Sequence, residues 1–105
     1  MLKKINRISS KKEFAEVKND GEMVATDLFG LVWLKNDKNK AFGAIISKKI
    51  STKAVLRNQI RRRLMEAVRL NMDIFPEGFR GIFLVKKNIL GKSEMEIETC
   101  LKKLF

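Results

Sequence analysis

No histidine occurs among the 105 residues, and cysteine occurs once, as Cys100. Without an imidazole there is no Ser-His-Asp or Cys-His couple, and most metal-binding clusters lose a ligand. A lone cysteine excludes an intramolecular disulfide and fits a reducing compartment. Its setting, "IETCLKKLF", reads as helix packing rather than thiol chemistry. No apolar run approaches the about 18 residues that a membrane-spanning helix needs. The opening "MLKKINRISSKKEF" lacks the apolar core of a signal peptide, so a cytoplasmic protein is expected. Glycine-rich phosphate loops, repeats, linkers and low-complexity segments are also missing. Glu94, Glu96 and Glu98 stand close together, but they read as the outer face of a helix. The chain thus offers no catalytic constellation of its own. A single carboxylate assisting a metal is the one protein-borne route left open.

Acid is in short supply too. Twelve acidic residues face 23 basic ones, for a net charge of +11. Such a balance favours a polyanion, nucleic acid before an anionic membrane. A solubilising surface accounts for most of the sixteen lysines, which are spread along the chain. It does not account for the arginines, five of seven of which fall between residues 57 and 69.

The length suits one domain with one core, and the 45% hydrophobic content is enough to build it. "SSKKEFAEVKNDG" predicts a short helix, with Ser10 and Glu13 as a capping box and Gly21 as its stop. "MVATDLFGLVWLKN" is β-like, with Phe29, Leu31 and Trp33 on one face. It is long enough to bend or to include more than one pairing. "AFGAIISKKI" is a second strand, with Phe42, Ala44 and Ile46 opposite Gly43 and Ile45. Residues 52–70 form a long helix, "FPEG" breaks the chain, and "FRGIFLVKK" is a further strand. "SEMEIETCLKKLF" closes the chain as a helix with a second capping box, Ser93 to Glu96. The expected fold is α+β, an α/β sandwich on a small mixed sheet in the order α-β-β-β-α-β-α. Helices on one face would leave the other face open.

The long helix divides by face. Leu56, Ile60, Leu64, Ala67 and Val68 form an apolar stripe wide enough to dock on a sheet. Asn58, Arg61, Arg62, Met65 and Arg69 lie opposite, and the helix's one acid, Glu66, falls beyond that arc. A merely solvated helix usually mixes its signs through i,i+4 pairs. With Lys48, Lys49 and Lys53 upstream, residues 48–69 hold eight basic side chains against one acid. Arginine suits RNA phosphate because its planar fork grips two oxygens and stacks on bases. Asn58 carries both donor and acceptor for a base edge or a 2′-OH. Nucleic-acid binding is the leading reading. A solvated basic helix and a membrane or partner-helix surface are the alternatives, the membrane being disfavoured because the apolar stripe is needed for the core.

"KAVLRNQIRRRLMEAVR" resembles the signature of the bacterial ribonuclease P protein component: a Lys-Ala-Val lead-in, Arg-Asn-Arg, a basic run and an amphipathic tail. "RISSKKEFAEVKNDG", "FGAIISKKI" and "GFRGIFLVKKN" resemble that family's other elements, so the likeness runs the length of the chain. The resemblance implies a single RNA-binding domain over residues 1–105, with an unusual left-handed crossover through the arginine helix. It implies the protein subunit of an endoribonuclease that removes the 5′ leader of precursor tRNA, with catalysis in the RNA partner. The implied partners are ribonuclease P RNA and precursor tRNA, without membrane or DNA. Magnesium would act with the RNA, and no protein site is assigned to it. Carried over by motif, Lys48, Lys49, Lys53, Arg57, Asn58, Arg61 and Arg62 would contact RNA. Phe14, Lys18, Val32 and Ile45 would line a cleft for the leader.

Four positions depart from the family pattern. Gln59 and Met65 stand where arginines are usual, and Lys18 and Val32 stand where aromatics are frequent. Phe14 is then the one expected ring for base stacking. A stand-alone RNA-binding or ribosome-associated protein of similar fold is the alternative function.

Overall fold

The computed structural model describes residues 2–104; Phe105, at the end of the expected closing helix, lies outside them. Helix α1 spans Lys11–Asp20, strands β1, β2 and β3 span Glu22–Ala25, Phe29–Lys35 and Ala41–Ile45, and helix α2 spans Ala54–Leu70. Strand β4 (Phe79–Val85) and helix α3 (Glu94–Lys102) complete the order α-β-β-β-α-β-α expected from the sequence. The four strands form one mixed sheet in the order β1-β2-β4-β3. β1–β2 and β2–β4 are antiparallel; β3–β4 is parallel and is joined by the crossover that carries α2.

The long β-like stretch splits in two because Thr26 makes a turn. Its hydroxyl accepts from the amides of Leu28 and Phe29 and donates to the Phe29 carbonyl, closing residues 26–29. Period-2 alternation then sorts the strands. Phe29, Leu31, Phe42, Phe79 and Phe83 face one side, where Ile60, Leu64, Ala67 and Val68 of α2 and Ile97 and Leu101 of α3 cover them. This is the main core. Phe42, Phe75 and Phe79 pack at ring separations of 4.8–5.7 Å.

The opposite face is not left bare. Val17 of α1 packs there with Ile8, Val32, Ala41 and Ile82, and Phe14, Leu34 and Leu84 lie against them. Helices thus flank both faces, α2 and α3 on one and the short α1 on the other. The run of near-continuous burial in β4 reflects a strand covered on both sides. α1 is short, however, and the row Ala25–Gly30–Leu84–Ile45 continues past it, with Ala25 and Ile45 exposed and Leu84 half-buried.

One cap also departs from expectation. Ser10 Oγ accepts from the Glu13 amide at 3.2 Å, but Glu13 does not return the bond. Its carboxylate pairs instead with Arg80 on β4, whose Nη1 also donates to the Asn39 carbonyl at 2.8 Å. Arg80 is only 7% exposed, so this pair is a buried tie between the first turn of α1, the sheet and the β2–β3 turn. The second expected capping box forms in full, with Ser93 and Glu96 bonded reciprocally at 2.7 and 3.2 Å.

Candidate nucleic-acid interface

α2 separates its two faces as its periodicity predicts. Ile60, Leu64, Ala67 and Val68 are buried against the sheet, while Asn58, Arg61, Arg62 and Arg63 are exposed. Lys53 is its N-cap and gives no side-chain cap, and no acid occupies the first turn. The helix therefore begins with free backbone N–H groups and a positive dipole end, with Lys48 and Lys49 exposed in the turn before it.

The arginines are not equivalent. Arg57 is half-buried, and its Nη1 donates to the Ser51 carbonyl at 2.8 Å, tying the helix start to the preceding loop. Its role is structural as well as electrostatic, which its place beside the polar arc does not reveal. Arg61 Nη1 donates to Asn58 Oδ1 at 3.2 Å, which orients both side chains on the exposed face. Arg63 reaches the Lys92 carbonyl at 3.4 Å. Arg69 forks onto Glu66, its Nε lying 3.0 and 3.1 Å from the two carboxylate oxygens. The Arg69 hydrogen bonds are the chief cause that holds the Glu66 carboxyl down to about 2. The helix therefore does mix its signs, one turn from its end, and Arg69 is drawn off the basic face by that pair.

The residues expected to line a cleft are divided. Phe14 lies over Gly43 of β3: a Cβ there would sit 2.7 Å from Phe14 Cζ. Ile45, two residues along the same face, is 36% exposed. Lys18 is exposed near the end of α1. Val32 is different. It is 7% exposed and sits under the end of α1, where a Cβ on Gly21 would come within 2.9 Å of its Cγ1. Val32 belongs to the α1–sheet packing and not to an open lining.

A recess of about 250 Å³ joins the two groups of residues. It lies at the outer edge of β3, with Phe14 and Ile8 on one side, Gly43 as floor, and Arg61 and Met65 of α2 on the other. Arg7 also lines it, a residue the motifs did not single out. Its sequence signal is the run Lys3, Lys4, Arg7, Lys11, Lys12, five basic residues before the first acid, Glu13. A larger recess of about 510 Å³ lies between the Thr26 turn and α3, with Asp27, Glu96, Lys103 and Cys100 among its walls. None of the sequence-predicted site residues lines it. The larger recess is therefore not the one beside the basic helix. Among the described residues no group of three or more acidic or cysteine side chains is placed to hold a metal ion, and no helix is long and apolar enough to cross a membrane.

Comparison with known proteins points the same way as the basic helix. Residues 2–105 match the model of the family described as Ribonuclease P. The "Ribonuclease P protein component" of Clostridium kluyveri is 35% identical over 95% of this chain and 91% of that protein. That of Rippkaea orientalis is 31% identical over 98% of this chain and 84% of that protein. Among solved structures, the RNase P protein of Thermotoga maritima superposes with a TM-score of 0.84 at 21% identity, covering 93% of each chain. The Staphylococcus aureus RNase P protein gives 0.82 at 24% identity over 95% of this chain and 92% of that one. At these identities the two structures speak for the fold.

Proposed function

The chain belongs to the ribonuclease P protein component family, and from that premise we propose that it binds the catalytic RNA and the 5′ leader of precursor tRNA. As a single RNA-binding domain over residues 1–105, it assists the endonucleolytic step that matures the tRNA 5′ end. The protein supplies binding and orientation; the reacting site, with its magnesium, belongs to the RNA. The cytoplasm is the compartment where these partners would be met.

The observation that carries this reading is the division of α2. Its inner face is committed to the sheet, and its outer face offers Arg61, Arg62 and Asn58 to solvent beside Lys48, Lys49 and Lys53. Planar guanidiniums grip phosphate oxygens in pairs, and the uncapped helix start adds N–H donors for the same charge. The open row of the sheet beside Phe14 provides a second, less charged surface, suited to a single strand whose bases are unpaired.

The experiment is reconstitution. The full chain is mixed with a bacterial ribonuclease P RNA and precursor tRNA at low magnesium, beside the same mixture without the protein. Leader removal that depends on the protein supports the reading. Absence of stimulation with several such RNAs would favour a stand-alone RNA-binding protein of the same fold.

A further inference from the structure

Helix α1 meets the sheet through contacts of two kinds. Val17 packs with Ile8, Val32, Ala41 and Ile82, and Phe14 lies against the same group. These contacts are apolar, and apolar burial has no direction. A short helix held by them alone can turn, or slide by one residue's rise of about 1.5 Å, at small cost. The directional contact is polar. Among the described residues, the one ion pair or hydrogen bond between α1 and the sheet joins Glu13 to Arg80 of β4. Arg80 Nη1 also donates to the Asn39 carbonyl at 2.8 Å, so its guanidinium is fixed from two sides. Arg80 is only 7% exposed, and its Nε has no partner among the described residues. A buried pair with an orphaned donor is a poor stabiliser, because desolvation offsets most of the Coulombic gain. What such a pair supplies is register, since its geometry admits one arrangement.

The register of α1 decides where its ring falls. Glu13 and Phe14 are adjacent in the first turn of α1, and their landing points on the sheet are neighbours too. Arg80 sits between Leu34 of β2 and Ala41 of β3. Gly43 lies one row further along the same face, paired with Ile82. Two residues of strand separate the rows, about 7 Å. Gly43 accepts Phe14 because it has no Cβ; one would stand 2.7 Å from Phe14 Cζ. The next residues of β3 on that face, Ala41 and Ile45, both carry side chains. The ring therefore has one seat on the strand, and the Arg80 fork holds the residue before it.

We propose that Arg80 is a positioning residue for leader recognition: through Glu13 it fixes the register of α1 on the sheet, and so keeps Phe14 in its seat at Gly43. Being buried, Arg80 acts without touching RNA. The inference rests on the reading of the α1 side of the sheet as the leader surface, and adds the residue that sets the shape of that surface. A released Glu13 has a second partner at hand. Ser10 Oγ already accepts from the Glu13 amide, so a free Glu13 carboxylate can accept from the Ser10 amide and complete the capping box. Loss of the tie thus costs the helix little and its register much.

The test compares Arg80→Met, which removes the charge and leaves the bulk, with Val17→Ala, which removes packing and leaves the tie. In the full chain, nuclear Overhauser contacts between the Phe14 ring and the Gly43 α protons report the seat. Arg80→Met should lose them with only a small shift of the denaturant midpoint. Val17→Ala should keep them at a clearly lower midpoint. In reconstituted holoenzyme, Arg80→Met should raise KM for leader-bearing precursor about fivefold at unchanged kcat, the worth of about one stacked base. Val17→Ala should keep the wild-type KM. Mature tRNA, added as a competitor, should inhibit every variant alike. Arg80→Lys, which keeps a cation for Glu13 and loses the planar fork, should fall between.

Intact Phe14–Gly43 contacts in Arg80→Met would overturn the register. Lost contacts with a wild-type KM, or an equal rise of KM in Val17→Ala, would overturn the positioning role. If Arg80→Met does not fold, Arg80→Lys decides, and wild-type contacts and KM there overturn the proposal. A wild-type chain that promotes no cleavage removes the proposed function, and the Overhauser contacts still decide the register.

Discussion

The ring of Phe14 rests on Gly43, so closely that a Cβ there would stand 2.7 Å from Cζ and 3.1 Å from Cε1. The glycine is what lets an aromatic side chain of α1 come this close to the edge strand. Gly43→Ala should push the ring away and cost about 1–3 kcal/mol, as overpacking does. In a Phe14→Ala background the same change should cost little, because the clash partner is gone. Chemical denaturation of the four proteins measures this coupling. Additive costs would mean that Phe14 does not own the space above Gly43. Leader affinity should fall in both single variants.

The contrast between the two faces of α2 gives a second test. Leu64 is fully buried against the sheet, so Leu64→Ala should destabilise by about 2–5 kcal/mol. Arg62 is exposed, so Arg62→Ala should leave the melting temperature within a few degrees and weaken RNA binding. Arg57→Ala should do some of both, since its bond to the Ser51 carbonyl holds the loop that carries Lys48 and Lys49. Melting curves and RNA titrations of the three variants separate the roles.

These contrasts show what could be read before the structure. The period of 3.6 in α2 and of 2 in the strands placed the core and the basic face, because burial repeats with the backbone geometry. The side of the sheet taken by α1 was not legible. β2 and β4 are apolar on both faces, and alternation cannot say which helix covers which. Val32 shows the same limit, since its place under Gly21 depends on where α1 ends. The Glu13–Arg80 tie joins residues 67 apart, and locally Glu13 reads as half of a capping box. Arg69 lies on the basic arc by its angle, yet its flexible side chain reaches Glu66 from there.

That last pair yields a prediction with a sign. A carboxyl held at about 2, below its ordinary 4.5, contributes stability that is present above the ordinary value and lost as pH falls through about 2. Across the neutral range Glu66 is therefore ionised and Arg69 stays occupied, and changing pH there does not release it. Glu66→Gln should release it. RNA affinity should rise and the salt slope should steepen by about 0.7–0.9, one phosphate contact. For wild type, with Arg69 withdrawn, about four contacts and a slope near −3 are expected. An unchanged slope in Glu66→Gln would place Arg69 outside the RNA footprint.

The Glu13–Arg80 tie sets the height of α1 over the sheet. Arg80 Nε has no hydrogen-bond partner among the described residues, so the pair already carries an unsatisfied donor. Glu13→Gln leaves the buried guanidinium without its counter-charge and should cost about 3 kcal/mol, the range for halving a buried pair. Arg80→Met removes the charge and the orphaned donor together and should cost less. Equal costs for the two, read from denaturant midpoints, would show that the lost pairing itself, and not the stranded guanidinium, sets the loss.

Where an aromatic could be added separates the packed part of the sheet from the open part. Val32 sits under α1, so Val32→Tyr has no room and should destabilise by about 1–3 kcal/mol, with no gain in leader binding. Leu84 lies in the open row between Gly30 and Ile45 and is half-buried. Leu84→Tyr should place a ring face on the surface near Phe14 and tighten binding of a leader by about 1 kcal/mol for the base it stacks. Lys18→Ala should weaken leaders of every sequence alike, because a lysine there meets backbone charge. Titration of two leaders differing in base composition against the three variants reads all of this at once. If Val32→Tyr bound leader more tightly without loss of stability, α1 would have to lift from the sheet in solution. The open row would then be wider than the four residues seen here.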